Sequence, residues 1–493
     1  MNTYLFYDLE TTGLNKVFDQ VLQFAAIRTD ATFNEIERHE IIVKLRPDVI
    51  PSPKATITHR IAIAQSMQGV CEFEAITQIH RLLNKPGTIS LGYNTLSYDD
   101  EFLRFCFHRN LLTPYTHQYK EGCRRSDLLP ITIMYYLYKR EILAHWPEID
   151  GKPTQKLEYL SEANKLATGP AHNAMVDVEA TVELARQFYK EPKMWDYLDG
   201  YFNKATEIKL IEKISLDFQS IACTNRLALM INNEYGYANK YQVPVLLIGN
   251  SIPYKNQTLW LRLDNPKLRE LCVSDFPSET STFEEAFYKK SKVIRKKYGE
   301  PGIVLPLSDR HDYLTPERKA LVEENKSWLQ SHTSVFHKLI QYYREFSYSK
   351  IPDLDIEAAL YQNDFLSSQE QNLCRQFHTA DLQEKQNIVN RFEDIEMRQL
   401  ANRCLCRNYP DNLPVYMTQD FEDYMRRVNP DNEEEALFNH KFEKRTTPAK
   451  ALREIDKLRT EEKLDTQQVE LLKELENYIH KHFPLGIVSQ DKS

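Results

Sequence analysis

An apolar, aromatic run, Tyr4-Leu5-Phe6-Tyr7, leads without a break into Asp8-Leu9-Glu10-Thr11-Thr12-Gly13. A run of this kind reads as a buried strand, and it sets two carboxylates where the strand should end. Side chains alternate along a strand, so Asp8 and Glu10 share one face while Leu9 points the other way. Two oxygen ligands on a stiff support suit a hard divalent cation. An Asp-x-Glu pair alone more often marks an edge strand whose polar face meets water, so its meaning depends on the rest of the chain.

Further strands are expected at Gln20 to Thr29 and Glu40 to Leu45, which with the first make an antiparallel meander. A proline-marked loop (Pro47, Pro51, Pro53) follows. Phe73, Ile76, Ile79 and Leu82 have helical spacing within Glu72 to Leu83. A strand at Thr88 to Tyr93 then precedes a helix that begins at Asp99-Asp100-Glu101. Acidic residues favour a helix N-terminus, and for Asp100 that is reason enough to be there. Helices are expected from Ser126 to Tyr138, from Gln155 onward, and, after a break at Gly169-Pro170, from His172 to Ala185 with Val178, Val182 and Ala185 on one stripe. Strands followed by helices give an α/β fold for residues 1–190.

At 493 residues several domains are required. A boundary is expected at Lys190-Glu191-Pro192. Short strands near Val243–Gly249, Thr258–Leu263 and Gly302–Leu307 describe a β-rich domain over 193–345, and 347–485 reads as helical, ending in two amphipathic helices broken near Asp465-Thr466. A net charge of −8 argues against nucleic-acid binding by the whole surface and leaves a local basic track open. No apolar run is long enough to span a membrane and no signal-like segment opens the chain. Eight scattered cysteines without zinc-site spacing fit a reduced, cytoplasmic compartment.

Asp8, Glu10, Asp99, His172 and Asp177 together resemble the motif set of the DEDD superfamily of 3′-to-5′ exonucleases. The histidine five residues before the last aspartate marks the DEDDh branch; the other branch carries a tyrosine where this chain has Asn173. Phe24 to Asp30, Leu91 to Asn94, Tyr98 to Glu101, Arg109-Asn110 with Pro114-Tyr115, Ala171 to Met175, Ala358 to Tyr361 and Arg407 to Pro410 are similar to the bacterial exodeoxyribonuclease I family. The resemblance implies a ribonuclease H-like exonuclease domain with a mixed sheet, an SH3-like barrel and a C-terminal helical domain enclosing single-stranded DNA. It further implies two Mg²⁺ ions, with Mn²⁺ as a substitute. Asp8 would bridge them, Glu10 and Asp177 would complete the first site, and Asp99 would support the second. Glu10 would also contact substrate, and His172 would be the general base, a task to which a histidine pKa of about 6.5 is suited. Phosphodiester hydrolysis needs charge stabilised on both the attacking and the leaving oxygen, which two divalent ions supply.

For the DNA track the resemblance places a substrate-binding basic residue at Lys156. Arg104 lies a helical turn beyond Asp100. Tyr115 and Tyr119 offer stacking faces with Arg124 and Arg125 beside them, although ordinary packing is an equal reading for each tyrosine. The run Lys289, Lys290, Lys292, Arg295, Lys296, Lys297 is either a solvated face or a DNA-facing stripe. One departure from the family is Ile57-Thr58-His59-Arg60-Ile61, where a glycine often follows the threonine; it bears on that loop's contact with the terminal nucleotide. The resulting expectation is a processive single-strand 3′-to-5′ exodeoxyribonuclease of DNA repair and recombination, releasing 5′-mononucleotides. It would act as a monomer and dock the acidic, phenylalanine-ended tail of the single-strand DNA-binding protein. An RNA-trimming or proofreading nuclease, or a noncatalytic single-strand-binding scaffold, are the alternatives.

Overall fold

The computed structural model describes residues 2–484 except 170–171, 220–223, 278–283, 309, 311 and 431. Pro170 of the expected break before His172, and the last residue of the expected 347–485 segment, therefore lie outside the described residues.

The first sheet has five strands: β1 (Thr3–Thr11), β2 (Val21–Thr29), β3 (Glu35–Ile42), β4 (Thr88–Gly92) and β5 (Arg124–Asp127), in the order β3-β2-β1-β4-β5. The pairs β1–β2 and β2–β3 are antiparallel, whereas β1–β4 and β4–β5 are parallel, so the sheet is mixed. Two of these strands depart from the expected pattern. β3 begins at Glu35, five residues earlier than anticipated, because its edge position leaves a charged, exposed face that carries no apolar signal. β5 is a four-residue polar strand, Arg-Arg-Ser-Asp, that merges into the helix Leu128–Tyr138 and so read as part of it.

The two faces of β1 pack into different cores. Leu5, Tyr7 and Leu9 meet the helices Glu72–Leu83 and Asp99–Arg109. Tyr4 and Phe6 meet the helix Ala174–Tyr189 through Val178, Val182 and Ala185. That second core continues into the middle of the chain, through Ala228, Met230, Val243 and Ile303. A short hairpin, β6 (Glu148–Ile149) and β7 (Lys152–Pro153), lies between the regions in sequence.

The middle sheet contains β8 (Leu216–Gln219), β9 (Thr224–Ile231), β10 (Gln242–Asn250), β11 (Gln257–Arg262), β12 (Val293–Lys297) and β13 (Ile303–Pro306), ordered β12-β11-β10-β9-β13 with β8 also on β9. All its pairs are antiparallel. Among the described residues no pairing joins its edges into a closed barrel. The helices Pro316–Ser331 and Thr333–Glu345 cover it with Leu329, Phe336, Leu339 and Tyr343, so helical structure returns earlier than Ser347.

The C-terminal part is helical. Its last two helices, Pro448–Glu461 and Thr466–His482, meet at Asp465, which caps the second one reciprocally with Gln468. They share a core with Val17, Phe18, Ile57 and Phe105 of the N-terminal region. No helix among the described residues is long and apolar enough to cross a membrane.

Candidate active site

β1 pairs with β4 only from Thr3 to Phe6. Asp8 and Glu10 therefore project beyond the carboxyl end of the parallel pair, the place where open α/β sheets hold ligands. They continue the face of Tyr4 and Phe6, which the helix Ala174–Tyr189 covers, and the first turn of that helix carries Asp177. Asn173 caps the helix by accepting the Met175 and Val176 N–H groups at 3.2 and 3.3 Å. Behind Glu10, the Tyr98 hydroxyl donates to the Gly13 carbonyl at 2.9 Å and lies 3.0 Å from Thr11 Oγ1, which fixes the strand end.

Asp99 reaches the same place by another route. The turn after β4 is held by Asp127, whose carboxylate accepts the Asn94 and Leu96 N–H groups at 2.9 and 3.0 Å. Gly92 is required there, because a Cβ would come within 2.6 Å of the Tyr7 carbonyl oxygen. The chain then enters the helix Asp99–Arg109 with Asp99 buried at its first position.

One carboxylate oxygen from each of Asp8, Glu10 and Asp177 lies within 4.8 Å of the others. Asp99 is outside this trio, yet its charge acts on both Asp8 and Glu10. Burial, and then the neighbouring carboxylates Asp99, Glu10 and Asp177, hold the Asp8 carboxyl well above its usual range. Burial with Asp177 and Asp99 pushes Glu10 up to about 8. Asp177 is raised by burial to about 6 despite the opposing pull of His172. Asp99 is raised by burial and by Asp127, against Lys16. Among the described residues none of the four forms an ion pair with lysine or arginine. An all-oxygen donor set that repels itself fits a divalent cation.

His172 stands beside this cluster, half exposed, with a left-handed backbone (φ 62°), and its Nε2 lies 3.3 Å from Glu158 Oε2. Lys156 is the N-cap of the helix Leu157–Asn164 and lies 3.6 Å from Glu158 Oε1. Glu158 escaped sequence reasoning because nothing in its spacing distinguishes it from any acid in the first turn of a helix.

The expected DNA-track arginines are placed differently from the sequence picture. Arg104 and Arg125 are both buried and both bond to Asp100, Arg125 at 2.6 Å, and His117 Nε2 joins them at 2.7 Å. Asp100 is thus a buried hub rather than a helix-end charge: burial would raise its pKa, but Arg104, Arg125 and His117 outweigh that and hold it well below the usual range. Tyr115 lies against the Arg104 guanidinium, 5.8 Å from ring centre to Cζ, while Tyr119 is largely exposed. Arg124 is bound to Asp199.

In the basic run, Lys289 pairs with Glu285 and Lys290 with Asp275, at 2.7 and 2.8 Å. Lys296 is buried on Glu207, and Arg295 lies over Phe346. Lys296 and Arg295 are therefore structural, while Lys289 and Lys297 stay exposed, and the second half of the run is strand β12.

In the departing loop the left-handed position is held by Arg60 (φ 59°), one residue after His59. Arg60 pairs with Asp465 at 2.6 Å, which ties the turn to the C-terminal helices. His59 is buried near His172. Its Nδ1 accepts the Ile61 N–H at 2.9 Å, and burial followed by the His172 charge lowers its pKa to about 4.

With this geometry in view, two family models match the chain: Exonuclease over residues 5–185 and Exonuclease I C-terminal domain over residues 354–482. The exodeoxyribonuclease I of Escherichia coli K12 is 37% identical over 215 residues, which is 43% of this chain. The chain aligns with under half of that relative's length, 45%. The crystal structure of E. coli exonuclease I in complex with a dA16 oligonucleotide superposes with a TM-score of 0.79 at 24% identity, over 98% of this chain and 100% of the other. A structure of SSB/Exonuclease I in complex with the inhibitor CFAM matches equally well, with a TM-score of 0.79 over the same shares.

Proposed function

Because this chain belongs to the exodeoxyribonuclease I family, we propose that it is a divalent-metal-dependent 3′-to-5′ exonuclease that shortens single-stranded DNA processively to 5′-mononucleotides. The observation that carries the proposal is the carboxylate set of Asp8, Glu10, Asp99 and Asp177, with Asp99 buried and the other three partly buried, which among the described residues lacks a lysine or arginine ion pair and has the half-exposed His172 at its edge. Asp8, Glu10 and Asp177 would hold one Mg²⁺, for which Mn²⁺ substitutes, and Asp99 would support a second. The ions, when bound, stabilise negative charge on the attacking and leaving oxygens. His172 accepts the proton of the attacking water, Glu10 abuts the terminal nucleotide, and Lys156 takes a backbone phosphate. Tyr115 and Tyr119 are the stacking faces. Arg104 and Arg125, committed to Asp100, support Tyr115 and the helix start rather than holding phosphate directly.

The domain division 1–190, 193–345 and 347–485 belongs to the same proposal, with the middle sheet as an SH3-like module along the strand. So do monomeric action in the cytoplasm and a role in DNA repair and recombination. A pocket of about 400 Å³ lined by Met134, Tyr138, Tyr197, Leu305, Pro306 and Arg310 supports docking of the single-strand DNA-binding protein's tail. Its apolar walls suit a terminal phenylalanine ring, and Arg310 suits the carboxylate.

The test is digestion of 5′-labelled single-stranded DNA, duplex DNA and single-stranded RNA with Mg²⁺ or EDTA. Mg²⁺-dependent loss of full-length single-stranded DNA without a ladder of intermediates is expected. Equal or faster loss of RNA would favour a trimming nuclease, and binding without shortening would make the chain a scaffold.

A further inference from the structure

Glu158 stands between two residues that the proposed reaction uses. Its Oε1 lies 3.6 Å from the Lys156 ammonium and its Oε2 lies 3.3 Å from His172 Nε2. The acid and the lysine sit at the head of one helix, Leu157–Asn164, which packs beside the helix Ala174–Tyr189 that His172 precedes. The two contacts differ in what they can withstand. Lys156 is two-thirds exposed and its pair with Glu158 is open to water, so the pair is weak and a phosphate, with more acceptor oxygens and more charge, displaces it. His172 lies outside the helix, on a left-handed residue, so the helix does not set its ring direction. Glu158 is the only ion-pair partner of that ring among the described residues.

We propose that Glu158 is a positioning residue with two linked roles, orienting His172 and restraining Lys156 until a substrate phosphate takes the lysine over. This deepens the exonuclease reading and rests on it. When phosphate draws Lys156 away, the carboxylate is left to His172 alone. Arrival of the backbone and alignment of the base then become one event.

The proposal has a signature that a merely structural role lacks: binding and turnover move in opposite directions. In Glu158→Gln the lysine loses its competitor, so single-stranded DNA should bind more tightly, by about two- to fivefold, the range of an exposed ion pair. The base loses its orienting charge, so kcat should fall by about ten- to a hundredfold, a substantial part of what general-base catalysis contributes. Binding is read by fluorescence anisotropy of a 5′-labelled dT oligonucleotide in EDTA, and turnover of the same oligonucleotide is read in Mg²⁺, all with the full chain. Glu158→Asp should recover part of kcat, and in a Lys156→Ala background Glu158→Gln should no longer tighten binding. Weaker binding in Glu158→Gln, a kcat within twofold of the parent, or tightening that persists without Lys156 would overturn the proposal. If the parent chain binds DNA and never shortens it, the exonuclease reading fails, and the anisotropy comparison still decides whether Glu158 restrains Lys156.

Discussion

Two clusters of carboxylates, one wholly buried around Asp48 and one partly buried around Asp8, are built on opposite principles. Around Asp48, the arginines Arg46, Arg407 and Arg445 converge on a carboxylate that is wholly buried, and Glu357, Glu72, Arg403 and Arg109 extend the network, with the Tyr424 hydroxyl inside it. Around Asp8 the carboxylates meet one another. Burial pushes Asp48, Glu357 and Glu72 upward, and in each case the arginines outweigh it and hold the carboxyl below its usual range. At the other cluster burial and mutual repulsion add. The same residue types are therefore ionised and structural in one place, and raised and available in the other. What differs is whether the fold supplies the counter-charge or leaves it to a ligand.

The largest expected effect comes from removing a counter-charge. Arg407→Leu leaves Asp48 and Glu357 buried with fewer partners. Losing one side of a buried pair costs about 3–5 kcal/mol, measurable as a lower midpoint in urea unfolding. The network joins the N-terminal region (Arg46, Asp48) to the C-terminal helices (Arg403, Arg407). The variant should therefore also lose the single transition that such coupling favours.

The second expectation concerns divalent cations and pH. Glu10, at about 8, and Asp177, at about 6, are raised in the folded chain. Their contribution to stability is thus complete below the unfolded carboxyl range near pH 4 and is lost as pH rises through 6 to 8. The lowered carboxyls of the Asp48 network act in reverse: their contribution is present above about pH 4 and lost as pH falls below it. Metal-free protein should be most stable between these limits. Saturating Mg²⁺ should then raise the thermal midpoint more at pH 8 than at pH 5, where protons compete for the same oxygens. At a concentration of about 100 times Kd the gain is about 2.7 kcal/mol. An equal shift at both pH values would remove the distinction between the clusters.

The smallest effect belongs to the surface. Asp465→Ala removes the partner of Arg60 and a helix cap, and should cost about 1 kcal/mol, the middle of the range for caps. If Arg60 instead needs that anchor to hold its left-handed turn beside His59, KM for DNA will rise with little change in kcat.

Much of the candidate site could be read in the sequence because its residues come as short motifs on regular elements, and the structure brings Asp8, Glu10 and Asp177 together. Asp8 and Glu10 share a strand face, and Asp177 falls in the first turn of a strongly patterned helix. The antiparallel meander of the first three strands followed from the same periodicity. What stayed hidden depends on long-range partners. Asp100 reads like any acid at a helix start until Arg104, Arg125 and His117 are seen around it. Arg104 and Arg125 read as free cations because sequence does not show that a carboxylate takes their charge. The basic run from Lys289 hid strand β12, since Lys296 faces inward on Glu207, 89 residues away. Glu158 had no periodic signal at all.

The most direct single measurement uses Asp177→Asn, which removes one charge from the self-repelling cluster with almost no change of shape. Mg²⁺-dependent digestion of single-stranded DNA and metal-free thermal unfolding are read on the same preparation. A carboxylate set kept for a cation requires digestion to fall by about a thousandfold, near 4 kcal/mol of barrier, while the metal-free fold is as stable as the parent or more so. Digestion within tenfold of the parent, or a metal-free fold that loses stability as the Arg407 variant does, would contradict it.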